Sequence, residues 1–412
     1  MQFFNFTSKR TAISDKSFTH LETDELTQLK RQNVFTQSSA SNPSSVDCGI
    51  LEPGHKKFVY QWRGHGKDCE FISVSKVDSQ HVKQKGIRKL NGHFYYGGPI
   101  FNHFGHFLAE SIHRLMQFKD LASQVKIKKI VFIPQRYVVL NGLRKPSLPP
   151  KFYEVLDYLG IPKSKILLLQ TPKNFESLWV AKQQSYFRVD RPLTPEYREF
   201  LHSRALNCLG DLKEPTPTKV YISRSNYFLR GSYAGETYIE KVLQQNGFTI
   251  FYPEKHSLKH QLNVYFNAQE LLFSEGTAIH VLELLGNINA KVGVIRRRQA
   301  GRIAIEPPLK NRVKNYSIFE ENFPLPSLYV APKRTTAASG SAVCFVDVGK
   351  ISEYLASEFG VNNVDHDQLK QQSLEDLDTY YETYKKKISA DARLIPILKH
   401  YEERYEAVIH NL

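Results

Sequence analysis

Apolar and polar positions along the chain alternate between the two-residue repeat of strands and the longer repeat of amphipathic helices. In the first half, this pattern predicts one helix over FNHFGHFLAESIHRLMQF and another over residues 151–159. The predicted strands of this half are KFVYQW, CEFISVSKV, HFYYGG, 129–133, 166–169 and 178–180. Helices that alternate with strands indicate βα units over a parallel sheet.

A second and clearer series follows a connector at residues 190–215, where prolines bracket the helical stretch EYREFLHSRAL. The pattern predicts strands at 219–223, 248–252, 271–274 and 291–295. It predicts helices between them at 236–246, 258–268 and 277–285. Strands and helices that alternate in this order are typical of a nucleotide-binding, Rossmann-like sheet.

The two ends of the chain differ from these series in composition. Residues 1–45 are rich in Ser, Thr, Gln and Asn, so we expect a polar N-terminal extension. Residues 340–412 combine a strand, a helix and a charged helical tail, which we expect to pack back on the fold. The sequence thus predicts an α/β protein with two Rossmann-like domains, at residues 46–200 and 215–330.

The composition argues against a membrane-spanning or metal-binding protein. The chain has 412 residues and no apolar run near the roughly 18 residues of a membrane span. The N-terminus has no signal-peptide core, so we expect a cytoplasmic protein. The cysteines lack the spacing of zinc ligands, so we expect reduced thiols and no metal site. They are Cys48, Cys69, Cys208 and Cys344.

The chain is basic, with 56 Lys and Arg residues against 41 Asp and Glu residues and a formal net charge of +15. Such a surface attracts polyanions such as an acidic glycan, a nucleic acid or an anionic membrane face. No nucleic-acid-binding motif accompanies the charge, so we expect no nucleic-acid partner and at most peripheral contact with the inner face of the membrane. We interpret the run Arg296–Arg298 as part of a solvated surface.

Candidate ligand-binding residues follow the predicted strands of the second series, where open α/β sheets bind their ligands. A glycine that opens a helix favours an anion at the helix N-terminus, and guanidinium groups match phosphate oxygens. We therefore expect a diphosphate site here, with a plain helix cap and surface arginines as the alternative. The candidates are Arg224, Arg230, Glu254, Glu275, Gly276, Thr277 and His280.

The first predicted helix carries a different group of residues. His106, Glu110 and Arg114 are spaced four residues apart, so they should lie on nearly one face. Glu110 is a candidate general base whose proton affinity His106 would tune, and Asn102 would cap the helix. The alternative is a solvent-facing stripe that contains an i,i+4 ion pair.

At these residues the sequence resembles glycosyltransferase family 61, over about residues 90–300. Upstream, Gly105-His106, Glu110 and Arg114 are similar to a helix of that family. Where many members have His-Gly-Ala, this chain has Glu275-Gly276-Thr277. The other matching features are Ser223-Arg224, Arg230, Gly247-Phe248, Pro253-Glu254, Gln261, Ala268 and Ala278.

The resemblance implies a GT-B fold, in which two Rossmann-like domains face each other across a cleft, and inverting transfer of a hexose or pentose without a metal. The C-terminal half would bind a nucleotide-sugar donor, for which we expect a UDP-sugar. The N-terminal half, including Asn102 and Arg114, would bind a glycan acceptor that is anionic or lipid-linked, in bacterial capsule or lipopolysaccharide synthesis. Glu110 or His106 would be the base.

Two other functions fit the same sequence features. A nucleotide-sugar epimerase or hydrolase on the same fold would need no acceptor. A non-catalytic protein that binds an anionic glycan would depend on the net charge of +15 and would bind no nucleotide.

Overall fold

The computed structural model describes residues 18–22, 26–27, 88–101, 103–134, 147–169, 173–181, 183–188, 190–210, 216–298, 301–332 and 334–409. The predicted strands KFVYQW and CEFISVSKV, as well as Asn102, Cys48 and Cys69, lie outside these residues. The chain divides into two compact units, Met1–Cys208 and Leu209–Leu412. Parallel strands and intervening helices occur in both units, so the fold is α/β.

The first unit contains a mixed sheet with the strand order β1-β6-β3-β4-β5. Its strands are β1 (Phe18–Glu22), β2 (Leu26–Thr27), β3 (Arg88–Ile100), β4 (Ile127–Pro134), β5 (Ile166–Leu168) and β6 (Lys173–Ala181). Strands β3 to β6 pair in parallel, as the alternating pattern predicts. By contrast, β1 and β2 pair antiparallel with β6, so part of the polar N-terminal segment extends this sheet.

The helices of the first unit are α1 (Phe104–His106), α2 (Phe118–Gln124), α3 (Pro150–Tyr158) and α4 (Pro195–Leu209). The prediction of a single long helix before β4 is wrong. Between α1 and α2 the chain forms a π-helix at Phe107–Ser111 and a 3₁₀-helix at Leu115–Gln117. Every residue of the π-helix is buried, and Phe107 stacks on Phe152 of α3 with ring centroids 4.2 Å apart. This segment is therefore packed on all sides, whereas an amphipathic helix would bury only one face.

The second unit contains a fully parallel sheet with the strand order β11-β10-β9-β7-β8. Its strands are β7 (Lys219–Ile222), β8 (Thr249–Phe251), β9 (Glu270–Ser274), β10 (Lys291–Ile295) and β11 (Tyr316–Phe319). The predicted strands of the second series are therefore confirmed, with small differences at their ends. A separate antiparallel pair is formed by β12 (Asn322–Pro324) and β13 (Cys344–Val346).

The α-helices of the second unit are α5 (Glu236–Gln245), α6 (Leu258–Asn267), α7 (Arg302–Lys310), α8 (Val348–Phe359), α9 (His366–Ser389) and α10 (Ile395–Ile409). Shorter 3₁₀-helices lie at Ser225–Arg230, Pro253–Lys255 and Thr277–Leu284. The last of these replaces the helix predicted at 277–285. Its segment Ile279–Leu284 is buried throughout, so the tighter coil packs inside the unit on every side.

The C-terminal helices share a hydrophobic core with the second sheet. Ile351, Leu355 and Phe359 of α8 pack in one cluster with Tyr221 of β7 and Leu243 of α5. Side-chain caps fix where these helices begin, because Asp347 and Asp365 each accept a backbone N–H from the first turn of α8 and α9. The tail is thus an integral part of the second unit.

Gly293, in the middle of β10, provides the space for this docking. A Cβ at Gly293 would lie 2.5 Å from Phe359 and 2.7 Å from the Tyr354 hydroxyl. We expect Gly293→Ala to lower the free energy of unfolding by about 1–3 kcal/mol, because the added methyl group overpacks the core. Chemical denaturation would measure this, with Gly340→Ala as control, since no heavy atom lies within 4 Å of a Cβ there. Equal stability of the two variants would contradict this packing.

Candidate functional site

The loops that follow β7, β9 and β10 lie side by side. These three strands are neighbours in a parallel sheet, so their carboxyl ends meet at one edge. Arg224 follows β7, Gly276 follows β9, and Arg298 follows β10. The sheet order therefore brings together residues that are far apart in the sequence.

A buried carboxyl group holds the loop after β7. Glu236, at the start of α5, is 1% exposed and accepts the backbone N–H of Arg224 and the hydroxyl of Tyr221, each at 2.8 Å. The Ser232 hydroxyl donates to the other carboxyl oxygen. Burial raises the pKa of Glu236, and these donors oppose the rise. The backbone from which the Arg224 side chain extends is therefore fixed.

The side chain of Arg224 lies against Gly276. Its Nε donates to the carbonyl oxygen of Gly231 at 2.5 Å, and Nη2 lies 3.4 Å from that of Arg230. A Cβ built on Gly276 would be only 2.9 Å from Nη1 of Arg224. Burial lowers the pKa of Arg224, Glu236 opposes this, and the positive charge of Arg298 lowers it further. Two features predicted on separate loops thus lie next to each other.

Gly276 opens the 3₁₀-helix Thr277–Leu284 in an extended conformation, with φ −168° and ψ −174°. Gly276, Thr277 and Ala278 are partly exposed, whereas the following residues are buried. Backbone N–H groups in the first turn of a helix have no partner within that helix. The accessible end beside Arg224 therefore offers donors to an anion.

Glu275, predicted to contact the donor, is instead buried beside Arg297 and Arg298. Its carboxylate is fully buried and accepts the backbone N–H groups of Arg297 at 2.8 Å and Arg298 at 3.1 Å. The Nε of Arg298 donates to it at 2.7 Å. Burial opposes ionisation of Glu275, but the nearby Arg298 and Arg297 outweigh it and lower the pKa of this carboxyl group. Glu275 thus interacts with two arginines of this chain.

The interpretation of Arg296–Arg298 as a solvated surface run is wrong for Arg296 and Arg297. Arg296 is 5% exposed and Arg297 is 3% exposed. Arg297 donates to the carbonyl oxygens of Gly340 and Ala342, both at 2.9 Å, which ties the end of β10 to the segment before β13. The run continues directly from a buried strand at the carboxyl edge of the sheet. The strand pattern could have placed these arginines at the edge where open α/β sheets bind their ligands.

The other predicted donor residues lie in different surroundings. Arg230 is exposed, and its guanidinium is 3.8 Å from the centroid of the Tyr329 ring. Glu254 accepts a hydrogen bond from the side chain of Asn226 at 2.7 Å, which joins the loops after β7 and β8. His280 is buried, and its Nδ1 lies 2.7 Å from Glu283.

An exposed aromatic ring that the sequence analysis missed lies beside Arg224. Tyr227 is 43% exposed, and its ring centroid is 5.8 Å from Cζ of Arg224. Its backbone interrupts the surrounding 3₁₀-helix, with φ −114° and ψ 18°. An apolar face is therefore available next to the cationic group.

The first unit brings together His106 and Glu110, as the spacing predicts. Nδ1 of His106 lies 2.6 Å from Oε1 of Glu110 across the start of the π-helix. The Glu110 side chain has no exposed area, whereas that of His106 is 32% exposed. The alternative of a solvent-facing stripe is therefore wrong for this pair. Aromatic rings of Phe101 and Phe187 lie 5.7 Å and 5.1 Å from the imidazole.

Arg114 does not continue this helical face. The π-helix ends at Ser111, and Arg114 lies beyond it in a turn, fully buried. Its guanidinium lies 5.7 Å from the ring of Tyr96, and a Cβ at Gly98 would be 3.1 Å from its Nη1. Burial lowers the pKa of Arg114, and Tyr96 opposes this. The expectation of one shared face fails because the regular α-helical repeat is interrupted.

Among the described residues, no group of three or more His, Cys, Asp or Glu side chains could hold a metal ion. No helix within the described ranges combines the length and the apolar character that crossing a membrane requires. Cys208 and Cys344 are free thiols.

Residues 104–283 match the family model described as Glycosyltransferase 61. This match supports glycosyltransferase family 61. The matched residues include the His106–Glu110 pair of the first unit and the Arg224–Gly276 contact of the second, and Arg298 lies beyond them. No curated protein matches the chain. The family match supports glycosyltransferase activity in general, with a donor and an acceptor glycan as substrates.

Substitution of Gly276 tests the space beside Arg224. Because the backbone at Gly276 is extended, alanine fits its conformation, and the added methyl group would instead displace the guanidinium. We expect Gly276→Ala to unfold at nearly the wild-type temperature but to bind inorganic pyrophosphate about tenfold more weakly, or ~1.4 kcal/mol. Titration calorimetry would measure this beside Gly349→Ala, a control in α8 whose added Cβ would make only an ordinary contact with Asp347, at 3.6 Å. Wild-type affinity in Gly276→Ala would exclude the anion site.

Proposed function

We propose that this protein is an inverting glycosyltransferase that moves a sugar from a nucleotide-sugar to a hydroxyl group of a glycan acceptor without a metal. The observation that carries the proposal is the contact between Arg224 and Gly276, because it joins a cation to an exposed helix start at the carboxyl edge of a parallel sheet. The match to family 61 over residues 104–283 supports the same reaction class.

The donor diphosphate is assigned to this contact. When the glycosidic bond of the donor breaks, the leaving nucleoside diphosphate gains negative charge. The guanidinium of Arg224 and the N–H groups that open the helix at Thr277 would offset that charge. Tyr227 offers an exposed ring on which the nucleobase would stack. A UDP-sugar is the expected donor.

His106 is assigned as the general base and Glu110 as the residue that orients it. An acceptor hydroxyl group can reach the part-exposed imidazole but not the enclosed carboxylate. With Nδ1 facing Glu110, Nε2 is the ring atom that would take the proton. A buried carboxylate beside Nδ1 holds the required tautomer and stabilises the imidazolium that forms.

The transfer is then a single displacement. The acceptor oxygen attacks the anomeric carbon and forms the new glycosidic bond. The bond from that carbon to the phosphate oxygen breaks, and its electron pair leaves with the nucleoside diphosphate. The hydroxyl proton passes to Nε2 of His106. Attack opposite to the leaving group inverts the anomeric configuration.

The proposal also covers the roles of the two units, the acceptor and its location in the cell. In a GT-B arrangement the first unit would bind the acceptor and the second unit the donor. The net charge of +15 favours an anionic or lipid-linked acceptor and peripheral contact with the inner face of a membrane. Bacterial capsule or lipopolysaccharide synthesis, in the cytoplasm, is the setting we propose.

Donor binding is tested by Arg224→Ala. We expect its dissociation constant for UDP to rise about 10- to 100-fold, because a charge-assisted hydrogen bond contributes about 1.5–3 kcal/mol. Calorimetry would measure this, with Arg393→Ala as matched control. Arg393 is an exposed arginine that pairs with Asp391. If Arg224→Ala bound UDP as tightly as the control, the donor assignment would be excluded.

The reaction itself is tested with a panel of nucleotide-sugars, each with and without glycan acceptors. Transfer to an acceptor, with an inverted anomeric centre by NMR, is the expected result. Isomerisation of the sugar without an acceptor would instead indicate an epimerase. Binding of a polysaccharide without any nucleotide would indicate a non-catalytic glycan-binding protein.

The base assignment is tested by His106→Ala and Glu110→Gln. We expect kcat to fall about 100- to 10,000-fold in His106→Ala, as for loss of a general base, and added imidazole to restore part of it. Glu110→Gln should lower kcat less, because its amide oxygen still accepts from Nδ1. Both variants should bind UDP normally, and His400→Ala, an exposed histidine of α10, serves as control. Full activity of His106→Ala would contradict the assignment.

A further inference from the structure

We infer that Arg298 is a second cationic ligand of the anion site, and that Glu275 positions Arg298 rather than contacting the anion. The ligand is of the diphosphate class, whether free pyrophosphate or the diphosphate of a nucleotide. This inference deepens the proposed function and rests on it for the identity of the natural ligand. The family match ends at residue 283, before Arg298.

Hydrogen bonds to Glu275 place Arg298 next to the helix start that Gly276 opens. Glu275 directly precedes Gly276, and its carboxylate accepts both the backbone N–H and the Nε of Arg298. Nη2 of Arg298 also contacts Oε1 of the same carboxylate. A Cβ at Gly301 would clash with that oxygen, so Gly301 closes the other side of the carboxylate. Glu275 therefore holds the guanidinium of Arg298 in one orientation beside the loop that carries Gly276.

Arg298 and Glu275 differ in solvent exposure, and this difference indicates which of them can contact an anion. The Arg298 side chain is 36% exposed, whereas that of Glu275 has no exposed area. A guanidinium carries five N–H donors, and Glu275 engages Nε and Nη2. Among the described contacts, the Nη1 edge of Arg298 remains for a ligand. A dissolved anion can reach Arg298 but cannot reach Glu275.

The local charge favours an anion. Three arginines, Arg224, Arg297 and Arg298, lie near two buried acids, Glu275 and Glu236, so the cations outnumber these buried acids. Burial lowers the pKa of Arg224 and of Arg297, and the positive charges of neighbouring arginines lower both further. An anion between Arg224 and Arg298 would relieve this repulsion.

Arg298 is better placed than Arg230 to bind an anion at the helix start that Gly276 opens. The exposed Arg230 side chain is stacked on Tyr329, at 3.8 Å from its ring centroid. Arg298 instead follows β10, which is paired with β9, and is joined to the residue before Gly276. Two guanidinium groups from the strands on either side of β9 would therefore flank the helix start.

Calorimetry with inorganic pyrophosphate and with UDP tests the inference. We expect Arg298→Ala to raise the dissociation constant about 10-fold or more for both ligands, because both contain the diphosphate. Arg298→Lys should restore part of the affinity, since it keeps the charge but loses the planar fork. Arg302→Ala is the control, because Arg302 is a nearby arginine whose side chain pairs with Glu306 and Glu320.

Glu275→Gln tests whether Glu275 acts by positioning Arg298 or only through its negative charge. Removal of a negative charge beside an anion site would by itself tighten binding. If Glu275 positions Arg298, binding should instead weaken several-fold, because the neutral amide holds the guanidinium less well. Tighter pyrophosphate binding in Glu275→Gln, or wild-type binding in Arg298→Ala, would overturn the inference. The Arg298 variants keep the test decisive if Glu275→Gln does not fold.

Failure of this inference can be told apart from failure of the proposed function. Pyrophosphate binding that depends on Arg224 but not on Arg298 would remove Arg298 and leave the proposed donor site intact. Binding that depends on both arginines, in a protein that transfers no sugar in the panel assay, would preserve the anion site and exclude the glycosyltransferase.

Discussion

The contact between the Arg224 guanidinium and Gly276 is the interaction on which the rest of the site depends. It exists because β7 and β9 are neighbours in a parallel sheet, so the loops that follow them leave the same edge. Glu236 holds the backbone of Arg224, and the carbonyl oxygen of Gly231 holds its Nε. Without a side chain at residue 276, the cation reaches the backbone of the helix start.

Buried carboxyl groups perform the same task in both units. Glu236 fixes the loop of Arg224, Glu275 fixes Arg298, and Glu110 faces one nitrogen of His106. Each carboxyl group is enclosed, while the side chain it supports or orients reaches a partly exposed position. Such supports keep reactive groups in one geometry, which ligand binding and catalysis require. The cost of burying these acids is offset by the hydrogen bonds that they accept.

The sequence predicts four of the five strands of the second unit's parallel sheet, because each of these four is an apolar run between turn residues, and it misses β11. The irregular helices could not be predicted. Phe107 and Glu110 lie in a π-helix whose residues are buried on every side, and such packing depends on α3, a distant segment. The spacing predicts the His106–Glu110 pair, but which of the two is exposed depends on tertiary contacts. Arg297 looks like a surface residue in sequence and is buried by the segment before β13.

A crystal structure of the protein with UDP would show directly whether Arg224 and the helix start at Gly276 hold the diphosphate. We expect the diphosphate oxygens to lie within hydrogen-bond distance, about 3 Å, of Nη1 of Arg224 and of the backbone N–H groups that follow Gly276. Density for UDP at another place, with Arg224 still packed on Gly276 and no ligand beside it, would exclude this contact as the donor site.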